Sequence, residues 1–267
     1  MNSESENIVV ENVPRDYAIK FADVGDRFDV DGKGEYIVKT KKVRAGVYNG
    51  NDWIDQLRTE LLLTRQGSRI YVLETAEESK KKAEHFIGKN DVIDIPGKRV
   101  FVGYKIFDFR ADYKAYYCFM NFQPWTRDLD PPVETEPSYP ADDELAPLTS
   151  EPTASFQPTD WPLLHHSEVL KFCRPGEIYH AENSQYRTVI SKAFAVYKGQ
   201  WDLEVTVKAT DDSTVVLQQQ YSYSLVPYAK PGDFLIMHDS KYKIKEKSFK
   251  LDPLSQAYSI GLTLEQA

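Results

Sequence analysis

Apolar and polar positions alternate along most of this chain. Glu35-Tyr36-Ile37-Val38-Lys39-Thr40 and Tyr186-Arg187-Thr188-Val189-Ile190 are short runs of β-branched and aromatic residues, and both predict strands. Lys42 to Tyr48 and Lys192 to Tyr197 predict strands in the same way. Taken alone, Trp53 to Leu63 has a helical spacing, with Trp53, Leu57 and Leu61 four apart. The later segment Leu203 to Ala209 alternates strictly, so its counterpart Leu61 to Thr64 is also expected to be strand, after one helical turn at Trp53 to Leu57. One helix signal stands out. Thr75-Ala76-Glu77-Glu78 is a capping box and leads into the lysine-rich run Ser79 to His85, which predicts a short helix with a solvated face.

The pattern occurs twice. Ala45-Gly46-Val47-Tyr48-Asn49-Gly50, with Trp53 after it, matches Phe194-Ala195-Val196-Tyr197-Lys198-Gly199, with Trp201 after it. Gly25-Asp26 and Tyr36 match Gly176-Glu177 and Tyr186. Asp91, Val100, Val102 and Phe107 fall opposite Asp233, Tyr242, Ile244 and Phe249. The fold class expected is mainly β: two similar curled-sheet or barrel-like units from a tandem duplication, with one short helix in the first. At 267 residues the length suits two domains. Boundaries follow from composition: a flexible acidic arm at 1–20, a first unit at 21–122, a linker at 123–161, a second unit at 162–252 and a polar tail at 253–267. The linker is rich in proline and acid and holds no lysine, so it predicts an extended tether. Its aromatics Trp125, Tyr139, Phe156 and Trp161 predict partial docking, with both tryptophans packed at its ends.

Lys230-Pro231-Gly232-Asp233-Phe234 is a turn signal, with proline presetting φ and glycine permitting positive φ. A hairpin follows, with the Tyr242-Lys243-Ile244 strand and then Phe249. Over about Ala229 to Leu251 this resembles the small PGDYG-type domains of phages and bacteria. That resemblance implies a compact β-rich unit of prokaryotic or phage origin and implies no catalytic residue. The first half departs from it at Gly88-Lys89-Asn90-Asp91, which lacks the Pro-Gly.

Charge narrows the partners. A net charge of −8 argues against nucleic acid, because phosphate binding needs a basic face. The apolar runs are too short to span a membrane, and Met1 to Glu6 holds no basic or apolar signal region, so a cytoplasmic protein is expected, with an effector secreted without a signal left open. Cys118 and Cys173 lie in different halves and predict reduced buried thiols. No cofactor or metal signature is present: His165 and His166 are adjacent, and Gly32-Lys33-Gly34 is too short for a phosphate loop. A Cys173 nucleophile with His180 as base is weighed against burial of Cys173, which is favoured.

Six residues remain as candidate ligand contacts: Tyr48, Trp53, Tyr197 and Trp201, which recur at the same place in both units, and the paired acids Asp91 and Asp233. The aromatics supply contact area at low entropic cost. The function expected is a non-catalytic binding module for a protein partner or a small ligand, using an aromatic-lined surface or cleft between the units. The alternative is an enzyme acting on a nucleotide or protein side chain, with carboxylates from the Gly-Asp turns.

Overall fold

A computed structural model describes residues 7–31, 33–48, 52–65, 71–76, 78–79, 84–95, 98–124, 163–181 and 185–267. Almost all of them build one mixed sheet. The strands are β1 (Asn7–Val13), β2 (Arg27–Val30), β3 (Gly34–Tyr48), β4 (Asp52–Thr64), β5 (Tyr71–Glu74), β6 (Glu78–Ser79), β7 (Val92–Ile95) and β8 (Lys98–Arg110). After them come β9 (Ala115–Pro124), β10 (Ile178–His180), β11 (Tyr186–Tyr197), β12 (Gln200–Ala209), β13 (Thr214–Tyr221), β14 (Phe234–Met237), β15 (Ser240–Asp252) and β16 (Ala257–Gln266). Two short helices, α1 (Arg15–Phe21) and α2 (His166–Phe172), and two 3-10 turns at Glu84–Phe86 and Val226–Tyr228 complete the described chain.

The alternation noted above is the cause of the strands. In β12, Trp201, Leu203, Val205, Val207 and Ala209 are buried while Asp202, Glu204, Thr206 and Lys208 face outwards in part. β14 and β15 form the hairpin expected after the Pro-Gly-Asp turn.

Eight strands close into a ring. Antiparallel pairs β2·β3, β7·β8, β10·β11 and β14·β15 alternate with parallel pairs β3·β7, β8·β10, β11·β14 and β15·β2. Each short strand thus joins the long strand of its own segment to that of the segment before. The long strands then continue outwards as hairpins with β4, β9, β12 and β16. Every long strand carries a bulge between its two ring pairings, at Val38/Thr40, Val102/Tyr104, Val189/Ser191 and Ile244/Glu246. Such bulges bend a strand and raise its twist, as a tightly curled sheet requires.

The two sequence units therefore share one sheet and one core. β8·β10 and β15·β2 pair residues of one half with the other, and the main core cluster runs from Ala18 to Leu264. Phe28 of the first half stacks on Phe249 of the second, with centroids 5.1 Å apart. Four local expectations are corrected. Residues 7–13 and 15–20, assigned to a loose arm, belong to β1 and α1, and β1 pairs with β16. Residues 257–266, assigned to a tail, are β16. Trp53 to Leu57 belongs to β4 and makes no helical turn. No helix starts at Thr75: its hydroxyl accepts from the backbone N–H of Thr59 at 3.1 Å, and Glu78 and Ser79 lie in β6. Among the described residues the α-helix of the first half is α1, and residues 80–83 of the expected helix lie outside the described residues. Trp125 and Trp161, with residues 125–162, lie outside the described residues. No helix among the described residues is long and apolar enough to cross a membrane.

Candidate central binding site

The ring is held by one hydrogen-bonded device that recurs four times. In each segment a residue with positive φ, namely Gly25, Asn90, Gly176 or Gly232, precedes an acid, Asp26, Asp91, Glu177 or Asp233. The first donates its N–H to a strand residue that donates its own N–H back to the acid's carbonyl. The partners are Val38, Val102, Val189 and Ile244, at 2.8 to 3.0 Å. Each acid's side chain also accepts the N–H three residues upstream, from Asp23, Gly88, Arg174 and Lys230, at 2.8 to 2.9 Å. Asparagine tolerates positive φ and so serves at position 90 where the others use glycine.

A buried lysine follows three residues after each strand partner: Lys41, Lys105, Lys192 and Lys247. Lys105 donates to the carbonyls of His85 and Ile87, Lys192 to those of Lys171 and Cys173, and Lys247 to those of Pro227 and Ala229. Lys41 donates to Lys20 and, across the segment boundary, to Phe86. These carbonyls flank the C-terminal ends of the helices and 3-10 turns, where main-chain acceptors are left over. Burial opposes the charges. It pulls Lys41 down to about 8, and Lys192 and Lys247 also fall, while Asp26 and Asp233 are pushed up to about 6. Asp91 and Glu177 rise for the same reason.

The four helical ends meet at the centre. Phe21, Phe86, Phe172 and Tyr228 form a closed cycle in which each ring packs edge to face on the next. Centroid distances are 5.0 to 5.2 Å and interplanar angles 75 to 80°. Such contacts place ring edges on electron-rich faces. Lys20 sits over Tyr17 and Phe86, and Lys171 sits near Tyr221, Tyr223 and Tyr228. Asp23 gathers cations from three segments: Arg174 at 3.1 Å, Lys41 at 3.7 Å and Lys230 in close contact. Burial opposes its charge, and these three cations outweigh burial, holding its carboxyl well below the usual range. The Arg174 guanidinium occupies the space that a side chain at Gly88 would fill, since an added Cβ there would lie 2.3 Å from Nη1. A cavity of about 20 Å³ opens beside the aromatic cycle and is edged by Lys20, His85, Lys171, Arg174, Lys192 and Lys230. His85, Arg174, Tyr228 and Lys230 keep partial exposure, so the cavity reaches the surface.

Of the residues expected from sequence, Trp201, Asp91 and Asp233 serve the frame. Tyr48 and Trp53 lie in β3 and β4, with side chains outside the described set. Tyr197 is exposed at the β11–β12 turn, whereas Trp201 is in the core. The two therefore do not present one aromatic surface, and the expectation for Tyr48 and Trp53 lies outside the described side chains. Asp91 and Asp233 are buried turn acids, and no hydrogen bond or ion pair joins them among the described residues. Cys173 donates to the Leu170 carbonyl, and burial pushes its thiol up to about 12, while His180 meets Asp108 at 2.6 Å and stacks on Tyr186. The described residues hold no group of three or more potential metal ligands. Sequence reasoning missed the aromatic cycle. Its signal was an aromatic five residues before each turn acid, at Phe21, Phe86, Phe172 and Tyr228.

Comparison with protein-family models, curated proteins and solved structures returned no match.

Proposed function

We propose that this chain is a non-catalytic binding protein, a four-segment ring that grew by tandem duplication and presents a small basic, aromatic-edged site at its centre. The observation that carries this reading is the closed cycle of Phe21, Phe86, Phe172 and Tyr228 with Lys20 and Lys171 beside it. A site shared by four segments is held from four directions, so its geometry is preorganised and little ordering cost attends binding. Aromatic surface with cations at its edge suits an anionic or polar group on a protein partner or small ligand. The likeness of Ala229–Leu251 to PGDYG-type domains agrees with a frame without catalytic residues. The alternative, an enzyme using the Gly-Asp turns, is disfavoured because each turn acid is buried and already accepts a main-chain N–H.

Amide chemical-shift mapping tests this. Titration with a panel of small anionic compounds and acidic peptides should shift Lys20–Ala22, His85–Ile87, Lys171–Arg174 and Tyr228–Lys230 together. Ligands that shift only remote positions such as Tyr197, or turnover abolished by Asp91→Asn, would contradict it.

A further inference from the structure

Outside the ring, β5 flanks β4, β13 flanks β12 and β1 flanks β16. An outer strand presents unpaired main-chain groups, and proteins blunt such an edge with short length, charge, proline or a bulge. β5 is four residues long and ends in Glu74. β1 holds Glu11 and a register shift between Val10 and Asn12. β13 has none of these devices. Its eight residues, Thr214-Val215-Val216-Leu217-Gln218-Gln219-Gln220-Tyr221, hold no charge, proline or glycine. Its register with β12 runs unbroken, from Tyr221 opposite Trp201 to Thr214 opposite Lys208.

The turn before β13 fixes which groups point outwards. Ala209 donates its N–H to the Ser213 carbonyl at 2.9 Å and accepts from the Asp212 N–H at 3.1 Å. Main-chain groups at Val215, Leu217, Gln219 and Tyr221 therefore face β12, and those at Thr214, Val216, Gln218 and Gln220 face away. Among the described residues these outward groups meet one partner, the Gln219 side-chain amide on the Gln220 carbonyl at 3.1 Å. Val215 and Val216 are exposed as well, at 38% and 51%.

We propose that β13 pairs with β13 of a second copy of this chain, antiparallel about a two-fold axis at Leu217. In that register Thr214 faces Gln220 of the other copy and Val216 faces Gln218, so every outward N–H meets an outward carbonyl. A two-fold contact is self-complementary, and one strand supplies both sides of it. Charge selects the orientation. Asp211 and Asp212 precede the strand, and Ser222 and Tyr223 follow it. The antiparallel register lays the acids of one copy against Tyr223 and Ser222 of the other, whereas a parallel pairing would set acid against acid, which is destabilising. Leu217 meets Leu217 across the axis, and Val215 meets Gln219. The pairing continues the β11·β12·β13 sheet into the second copy and makes no use of the central site.

Sedimentation velocity of the full chain over a concentration series tests this. The unsubstituted chain should form a dimer. Gln218→Pro should stay monomeric, because proline there removes an outward donor, spares the β12 ladder and obstructs the approach of a second strand. A monomer at every concentration, or a dimer that survives Gln218→Pro, overturns the proposal. Cross-linking reads the register and decides the matter should Gln218→Pro not fold. The natural Cys118 and Cys173 are buried. In Leu217→Cys the two new thiols meet at the axis in a non-hydrogen-bonded pair, where facing side chains come closest, and mild oxidation should give a covalent dimer. Val215→Cys, which falls opposite Gln219, should give none. Cross-linking at both positions, at Val215→Cys alone or at neither overturns the proposal.

Discussion

A lysine ammonium loses several kcal/mol of hydration on burial unless donors and charges are satisfied. Lys41, Lys105, Lys192 and Lys247 recover that loss by bridging paired carbonyls at the ends of the helical segments. Lys247→Met keeps the stem but strands the carbonyls of Pro227 and Ala229. Chemical denaturation should show a loss of about 2–4 kcal/mol, and a neutral result would deny the lysine its structural role. The turn acids give a pH signature. Asp233 keeps its proton up to about 6 in the folded chain but sheds it near 3.8 when unfolded. Between those values the folded state binds more protons, so this carboxyl's stabilisation is full below 3.8 and fades as pH rises through 6. The stability of the unsubstituted chain relative to Asp233→Asn should therefore fall between pH 4 and pH 7, by roughly 2–3 kcal/mol. A difference that grows with pH would refute the assignment. Gly88→Ala would push Arg174 away from Asp23, and a loss of about 1–3 kcal/mol is expected in the same assay. None of these lysines was legible as buried: each lies two residues before an apolar strand position and so on its inward face, but lysine as a residue type is read as solvated. The acids were legible as turn residues, and that part of the sequence reading carried over into the structure.

At the level of elements, alternation identified the strands because one face of each is buried and the period is two. Phe107 and Phe249, which fall opposite one another in the repeat, are both fully buried. Truncating either to alanine should cost roughly 3–5 kcal/mol, and an effect below 1 kcal/mol would mean that neighbours collapse into the space. The capping box misled because its signal is local while the Thr75 hydroxyl is used across the sheet by Thr59. α1 escaped notice because its seven residues follow a strongly polar stretch and make no side-chain cap. The sequence pairing matched Gly25-Asp26 with Gly176-Glu177, and Asp91 with Asp233, yet left the two sets unmatched to one another. The obstacle was Lys89-Asn90, where asparagine replaces the glycine at positive φ, and the helical lead-in, which is α-helix in two segments and a 3-10 turn in the others.

At the scale of the molecule, the ring is made by its four parallel pairs, and these leave no local trace in a sequence. β15·β2 joins Phe249 to Phe28, and β8·β10 joins Phe107 to Tyr179, over separations that no turn signal reports. The candidate site inherits the same obscurity, since its rings and cations come from all four segments. Closure across both halves is the claim on which the site depends, and it makes cleavage the most direct measurement. A protease site inserted within residues 135–145, cut after folding, should leave the two fragments associated at micromolar concentration and unfolding in a single cooperative transition. Separation of the fragments into two independently folded proteins would contradict the closed ring and the central site with it.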